Sequence, residues 1–289
     1  MKAVKLKFKT PVRIGESGIG LEETSEILHS DTLFNAIANA LASINGDLDD
    51  FIERIRIGEL RISSAFPFDD DEFSLPLPIL PFGKKITAKF VSKEEFERLI
   101  AGEEIEVESR DMPYEVVDLP KVSIDRATAN TNIYYVSMIR FRKKSGLYFI
   151  VEGNGKKLLK PALRFLEDEG IGGKRTWGLG RFEHEWTDFS LKMPSNSNAF
   201  VTLSLVFPND LNSILYWKPI IRGGWTLKGK QIRKPRIIMA SEGSIFSRRD
   251  DGVLLDLDEV VGDFSGKVGH KVFVNGKSFL IPTVVRYGD

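Results

Sequence analysis

The chain contains no cysteine, so disulfides, thiolate metal sites and cysteine nucleophiles are all excluded. Histidine is scarce: only His29, His184 and His270 could shuttle protons near neutral pH with an unperturbed pKa. No apolar run approaches the roughly 18 residues of a membrane-crossing helix. The start, Met1-Lys2-Ala3-Val4-Lys5-Leu6-Lys7, alternates charged and apolar residues, unlike a secretory leader. A cytoplasmic protein with no membrane partner is expected, and a reducing compartment suits a chain without cysteine. Net charge is lacking too, because 41 Lys and Arg face 41 Asp and Glu. What is present, 289 residues with 42% hydrophobic and 28% charged, can fold around a sizeable core. At roughly 150 residues per domain the length suggests two domains.

Neutrality overall conceals local asymmetry. The stretches 47–59, 69–72 and 94–111 are acidic, whereas residues 218–249 hold nine bases against the single acid Glu242. Such a cluster is either a solvated face or a polyanion site, since grouped Lys and Arg focus an attractive field on phosphates. In the second case Arg222, Lys228, Lys230 and Arg233 line an RNA path. The acidic run Asp69-Asp70-Asp71-Glu72 is either a solvated loop or a contact for a basic partner.

Residues 2–9 alternate, predicting a strand with Val4, Leu6 and Phe8 on one face and Lys5, Lys7 and Lys9 on the other. Ser30 or Asp31 can cap a following helix in which Leu33, Phe34, Ile37, Ala38, Leu41 and Ile44 recur, stopped by Asn45-Gly46. Residues 61–66 predict a strand, and Pro76, Pro78 and Pro81 an irregular loop that either packs over the sheet or meets another subunit. Ser92-x-x-Glu95 is a capping box opening a short helix that ends at Gly102. Residues 103–132 form an excursion, with a hairpin around 121–136. A strand at 147–152, a helix at 157–169 and a strand at 181–186 complete the order β-α-β-(excursion)-β-α-β, which is ferredoxin-like, in a domain covering 1–193. The second domain, 194–289, opens with a strand at 199–207 and ends with two apolar runs joined by Asn275-Gly276, a hairpin signal. Helix signals between them are weak.

The densest chemistry lies in Gly170-Ile171-Gly172-Gly173-Lys174-Arg175-Thr176-Trp177-Gly178-Leu179-Gly180-Arg181. It follows a helix and precedes a strand. A Walker loop fails, because Lys174 is followed by Arg175 and residue 168 is Asp; both Gly-x-Gly-x-x-Gly registers fail at Arg175 and Glu183. No nucleotide cofactor is therefore expected. Glycines bring backbone N–H groups close to ligand oxygens, Lys174, Arg175 and Arg181 add charge for phosphates, and Trp177 offers a face for a base. The bland alternative is a tight connection in which the glycines only turn the chain.

Gly170 to Phe182 resembles the glycine-rich loop of the RAMP superfamily of CRISPR-associated proteins. His29-Ser30-Asp31-Thr32-Leu33-Phe34, Ser64-Ala65-Phe66-Pro67, Val122-Ser123-Ile124-Asp125-Arg126 and Glu242-Gly243-Ser244-Ile245-Phe246 narrow the resemblance to a subunit of the Csm complex, the type III-A CRISPR effector. The resemblance implies an α+β fold of two ferredoxin-like (RRM-like) domains in tandem, with insertions that include a thumb-like hairpin. It implies a non-catalytic subunit that grips the 5′ handle of the CRISPR RNA and joins the large polymerase/cyclase-like subunit to the backbone subunit. The thumb would wedge into the duplex of guide and target RNA. Carried onto this chain, the handle contacts fall on Gly170, Gly172, Gly173, Gly178 and Gly180, with Lys174 and Arg175 as phosphate partners. Arg126 would lie near the base of the thumb.

Among candidate catalysts, His184 in Glu183-His184-Glu185 is best explained as a surface ion-pair residue and His270 as structural. His29 precedes the first helix, and either contacts RNA, serves structure, or supplies acid/base catalysis as in the endoribonucleases of the same superfamily. Asp31 is explained as a cap. Metal motifs are absent, His-Glu-x-x-His and EF-hand loops included. Three functions stay open: an RNA-binding effector subunit, an endoribonuclease processing CRISPR transcripts, and a general single-strand RNA-binding module.

Overall fold

The computed structural model describes residues 1–16, 20–81, 88–107, 110–126, 130–226 and 230–286. The first half runs β1 (Lys2–Phe8), α1 (Ser30–Ser43), α2 (Leu48–Ile57), β2 (Leu60–Ile62), β3 (Phe66–Asp69), β4 (Glu72–Pro76), β5 (Phe90–Ser92) and α3 (Lys93–Ile100). It continues through β6 (Tyr114–Ile124), β7 (Thr131–Phe141), β8 (Ser145–Gly153), α4 (Lys156–Glu169) and β9 (Phe182–Asp188). The main sheet has the order β5-β4-β3-β8-β1-β9 with β2 also pairing β8, and every pairing is antiparallel. Helices α1 and α4 pack on one face, placing Leu33, Phe34, Leu159 and Leu163 against Val4, Leu6, Leu147 and Phe149.

The alternation of β1 predicts one wet face, yet Ala3, Val4, Lys5 and Leu6 are all buried. The second half of the chain covers the other face: Val201, Phe279 and Ile281 join Ala3, Phe66 and Tyr148 in a second core. A cation in such a place needs partners. Lys5 Nζ donates to the Asp70 carbonyl (2.7 Å) and the Asp71 carboxylate (2.9 Å), and lies 5.2 Å from the centroids of Phe68 and Phe73. The run 69–72 is thus the β3–β4 turn, and part of it seats a buried lysine.

Helix α2 has no counterpart in the sequence reading, which saw its segment only as acidic. Asp47 caps it by accepting from the Asp50 N–H, Phe51 and Ile55 are buried at four-residue spacing, and left-handed Gly58 ends it. That apolar stripe is two residues wide, too narrow to stand out among charges. The capping box at Ser92 and Glu95 forms as predicted. The predicted cap of α1 does not: His29 occupies the N-cap without a side-chain bond, and Asp31 turns elsewhere. Leu77 and Leu80 pack against the second core, the first of the two readings of that proline-rich loop.

Strands β6 and β7 pair without interruption from Tyr114 with Phe141 to Ile124 with Thr131. The hairpin is longer than predicted, and this moves Arg126 from the expected base to the exposed tip.

The second half comprises β10 (Ala199–Thr202), β11 (Ile214–Tyr216), β12 (Pro219–Arg222), β13 (Ile237–Ala240), β14 (Ile245–Phe246), β15 (Gly252–Asp256), α5 (Leu257–Val261), α6 (Phe264–Val268), β16 (Phe273–Lys277) and β17 (Leu280–Thr283). They form a sheet β11-β14-β10-β17 and the pairs β12–β13 and β15–β16. The strand expected to reach residue 207 stops at Thr202, where the chain bends so that the Leu205 N–H donates to Ser30 Oγ (3.1 Å) at the start of α1. Asn275-Gly276 is not a hairpin turn but lies inside β16, opposite Leu254 and Val253. Gly276 is required there by packing, since a Cβ would stand 2.6 Å from Phe207 Cβ.

Candidate nucleic-acid interface

Gly170 ends α4 with φ 78°, its N–H donating to the Leu166 carbonyl (2.8 Å). The glycine segment then folds back on itself. Ile171 N–H donates to the Gly180 carbonyl (2.9 Å), Gly180 N–H to Pro11 (2.8 Å) and Gly173 N–H to Arg13 (2.7 Å). A Cβ on Gly180 would stand 2.0 Å from the Ile171 carbonyl oxygen, and one on Gly172 2.4 Å from that of Arg13. Glycine is thus demanded by backbone-on-backbone approach. The N–H groups of Gly173, Gly178 and Gly180 all meet the protein's own carbonyls, which corrects the reading that they are presented to a phosphate. What the segment does present is side chains. Lys174 stands in a left-handed conformation (φ 58°) before a single 3₁₀ turn, Arg175–Trp177. Lys174 and Arg175 have no acidic partner among the described residues, while Arg181 Nε donates to the Asp168 carbonyl (3.0 Å).

The indole of Trp177 is 39% exposed and carries two ammonium groups, Lys174 Nζ at 4.8 Å and Lys121 Nζ at 4.5 Å from its centroid. Lys121 belongs to β6, so the long hairpin and the glycine segment meet at this ring. Below it, Leu179 packs on Val136 and Met138.

The segment forms one wall of a cleft of about 1150 Å³. Gly170, Gly172, Gly173, Arg175 and Arg13 line this wall, Asp31, Thr32, Asn35 and Asn39 of α1 line the middle, and Arg222, Trp225 and Lys234 stand in the other wall. Two parts of the sequence about fifty residues apart are thereby brought face to face. Lys174, Trp177 and Gly178 lie outside the lining, Lys230 and Arg233 are exposed beyond the far wall, and Lys228 lies outside the described residues. Arg13, Lys234 and Trp225 were not singled out in advance; Trp225 inside the basic stretch was the available signal.

Two sequence candidates are committed to the interior. Arg222 is 6% exposed, and its Nε and Nη2 donate to the two carboxylate oxygens of Asp31, each at 2.9 Å, with a third bond to Thr32 Oγ1 (2.9 Å). Burial alone would raise the Asp31 pKa, but the Arg222 charge and hydrogen bonds, with His29 and Lys234 nearby, hold it at about 2. His29 is 3% exposed; its Nδ1 faces Glu242 Oε1 (2.8 Å) and its Nε2 faces Glu16 Oε1 (3.1 Å). Burial works to lower its pKa, and the charge of Glu242 with hydrogen bonds to Glu16 and Glu242 outweighs it, carrying it to about 9. Glu242 also accepts from Ser64 Oγ. His29 is therefore a buried imidazolium between two carboxylates, which corrects both its reading as an RNA contact and its reading as an acid/base catalyst: both ring nitrogens are taken up by the protein's own carboxylates. Likewise His184 pairs with Glu167 (2.9 Å), though nearly buried rather than on the surface. Among the described residues no group of His, Asp and Glu is placed to hold a metal, and no helix is long and apolar enough to cross a membrane.

Residues 5–183 match the model of the RAMP superfamily, which covers well over half of the chain, and residues 195–283 match the CRISPR Csm4 C-terminal domain. The cleft and its glycine-rich wall thus belong to a protein of the RAMP class. A relative from Thermococcus onnurineus (strain NA1), named CRISPR system Cms protein Csm4, is 34% identical over 96% of this chain and 94% of its own length. This chain belongs to the Csm4 family, a subunit family of type III CRISPR Csm complexes. It is similar, at 28% identity and a TM-score of 0.70 over 99% of both chains, to a chain in the crystal structure of a Csm1-Csm4 cassette in complex with cA4. The fold is also shared, with a TM-score of 0.68 at 21% identity over 98% of this chain and 99% of the other, with a chain in the Csm3-Csm4 subcomplex of the type III-A interference complex.

Proposed function

We propose that this chain is a non-catalytic, RNA-binding subunit of a type III-A CRISPR effector, gripping the 5′ handle of the CRISPR RNA in the cleft. In the same assembly it links the large polymerase/cyclase-like subunit to the backbone subunit, and the long hairpin acts as a thumb against the guide–target duplex. The architecture behind this reading is two ferredoxin-like units meeting near residues 193 and 194. The observation that carries it is the cleft, where Arg175 and Lys234 stand in opposite walls, with exposed Trp177 and Lys174, which has no acidic partner among the described residues, just outside. Unpaired cations beside an aromatic ring suit a single strand. The relatives' assemblies with Csm1 and Csm3 support the linking role.

The test is a filter-binding titration of handle-containing RNA beside a melting curve. Lys174→Ala with Arg175→Ala removes two charge-assisted contacts, each worth about 1.5–3 kcal/mol. Affinity should fall at least tenfold, about 1.4 kcal/mol, with an unchanged melting temperature. Unchanged affinity would return the segment to a purely structural connection, and equal affinity for scrambled RNA would make the chain a general single-strand binder. Site-specific cleavage of a repeat RNA by the purified chain would overturn the non-catalytic reading.

A further inference from the structure

Residues 217–226 and 230–241 run as two paired segments, β12 and β13 with their extensions, whose two faces differ. β12 pairs with β13, the Ser241 N–H donates to the Lys218 carbonyl (3.1 Å) and the Lys234 N–H to Gly224 (2.8 Å). After a register change Trp225 pairs with Arg233. Successive residues of a strand point to opposite faces. The inward set, with Arg222, Thr226, Ile237 and Met239, is buried. The outward set is Trp217, Pro219 and Ile221, with Ile238 directly across from Ile221, and Trp225 at the end of the row, where it also borders the cleft; all five are exposed. The four large ones among them are 40% to 66% exposed, making a continuous apolar row rather than scattered single residues.

The charges around this row are also unusual. Lys218, Lys230, Arg233 and Arg236 are exposed and have no ion-pair partner among the described residues, whereas Arg54, Arg98, Arg142 and Arg248 on other surfaces are each paired with a carboxylate. An apolar centre containing tryptophan, rimmed by polar groups, is the anatomy of a protein–protein contact.

We infer that the outward face of the β12–β13 pair docks a partner protein whose contact surface is an apolar patch rimmed by Asp and Glu. The inference rests on the reading of the chain as an effector subunit and adds to it the surface and the chemistry of one of its protein contacts. Charge complementarity selects the occupant. A second copy of this chain would bring the same four cations together. A single RNA strand would meet Pro219, Ile221 and Ile238 in the middle of the row, which give bases no ring to stack on.

Association of the full-length chain with the large subunit and with the backbone subunit of its own effector, measured pair by pair, tests this. Ile221→Glu with Ile238→Glu should weaken binding to one of the two at least a hundredfold, leaving the RNA affinity of the isolated chain within twofold. Because both side chains are exposed, the melting temperature should not move. Arg233→Glu with Arg236→Glu, which keeps the apolar row, should weaken the same pair at least tenfold, and more at low salt than at high. Unaltered association of both variants with both subunits overturns the docking face alone. Normal association with lost RNA affinity also overturns it and gives the face to RNA. A wild-type chain that joins neither subunit overturns the effector reading and this inference with it.

Discussion

In the glycine segment, Lys174 and Arg175 have no acidic partner among the described residues, and Arg175 lines a cleft; in the C-terminal basic stretch, the described cations other than Lys234, which lines the far wall, divide into three groups. Arg222 is locked to Asp31 in the interior, Arg248 and Arg249 pair with Asp210 and Asp251, and Lys218, Lys230, Arg233 and Arg236 stand unpaired outside. A run of bases is therefore a poor measure of the charge a ligand can feel, because a buried pair presents almost no field to solvent. The difference arises from α1. Its start turns Asp31 toward one wall and His29 toward Glu242, so the same turn of helix that forms the middle of the cleft ties the second half of the chain in place.

The largest expected effect tests that lock. Asp31→Leu leaves the Arg222 guanidinium buried without its carboxylate, which should cost about 3–5 kcal/mol. For a chain of this size the melting temperature should drop by roughly 10 °C. Adding Arg222→Met should recover most of the loss, because an apolar pair of similar volume removes both desolvated charges. If Arg222 instead serves a phosphate directly, the double variant would regain stability and still bind RNA poorly.

A smaller effect follows from pH. The His29 pKa is raised from its usual 6.5 to about 9, so its contribution is complete below pH 6.5 and fades as pH rises through 9. Asp31 and Glu16 are both depressed to about 2, so theirs is complete above about pH 4.5 and is lost as pH falls through 2. Stability should thus be greatest between about pH 4.5 and 6.5, and decline toward pH 9 by on the order of 3 kcal/mol. His29→Gln should flatten the alkaline limb. A melting temperature constant from pH 6.5 to 9 in the parent chain would mean that this histidine is neutral.

The smallest effect lies in the glycine wall. Gly180→Ala forces a Cβ against the Ile171 carbonyl at φ 77° and should cost about 2 kcal/mol. Gly178→Ala meets open space and carries only the strain of φ 79°, about 1 kcal/mol. Urea denaturation separates the two, and equal losses would show that conformation alone, rather than backbone packing, calls for glycine here.

Local physics was legible wherever neighbours along the chain decide the outcome. The capping box at Ser92, the helix at 157–169 and the glycine termination at Gly170 all depend on hydrogen bonds and periodicities spanning a few residues. The glycine segment was legible as a candidate site for the same reason, since its glycines, cations and tryptophan are consecutive. Asn275-Gly276 misled because its local preference for a turn was outweighed by a distant strand and by Phe207.

The sequence by itself determined the helices with wide apolar faces, the absence of thiol chemistry and the position of the glycine wall. Only the tertiary structure decided that Lys5, His29 and Arg222 are interior charges and that the cleft has a second wall. Each of these depends on a partner between about 65 and 215 residues away, Asp71, Glu242 and Asp31 respectively. Whether a charge stays in water is settled by the partner the fold delivers. An isolated charge is costly to bury, and each of these three is met by a carboxylate, at 2.9 Å in the case of Arg222 and Asp31.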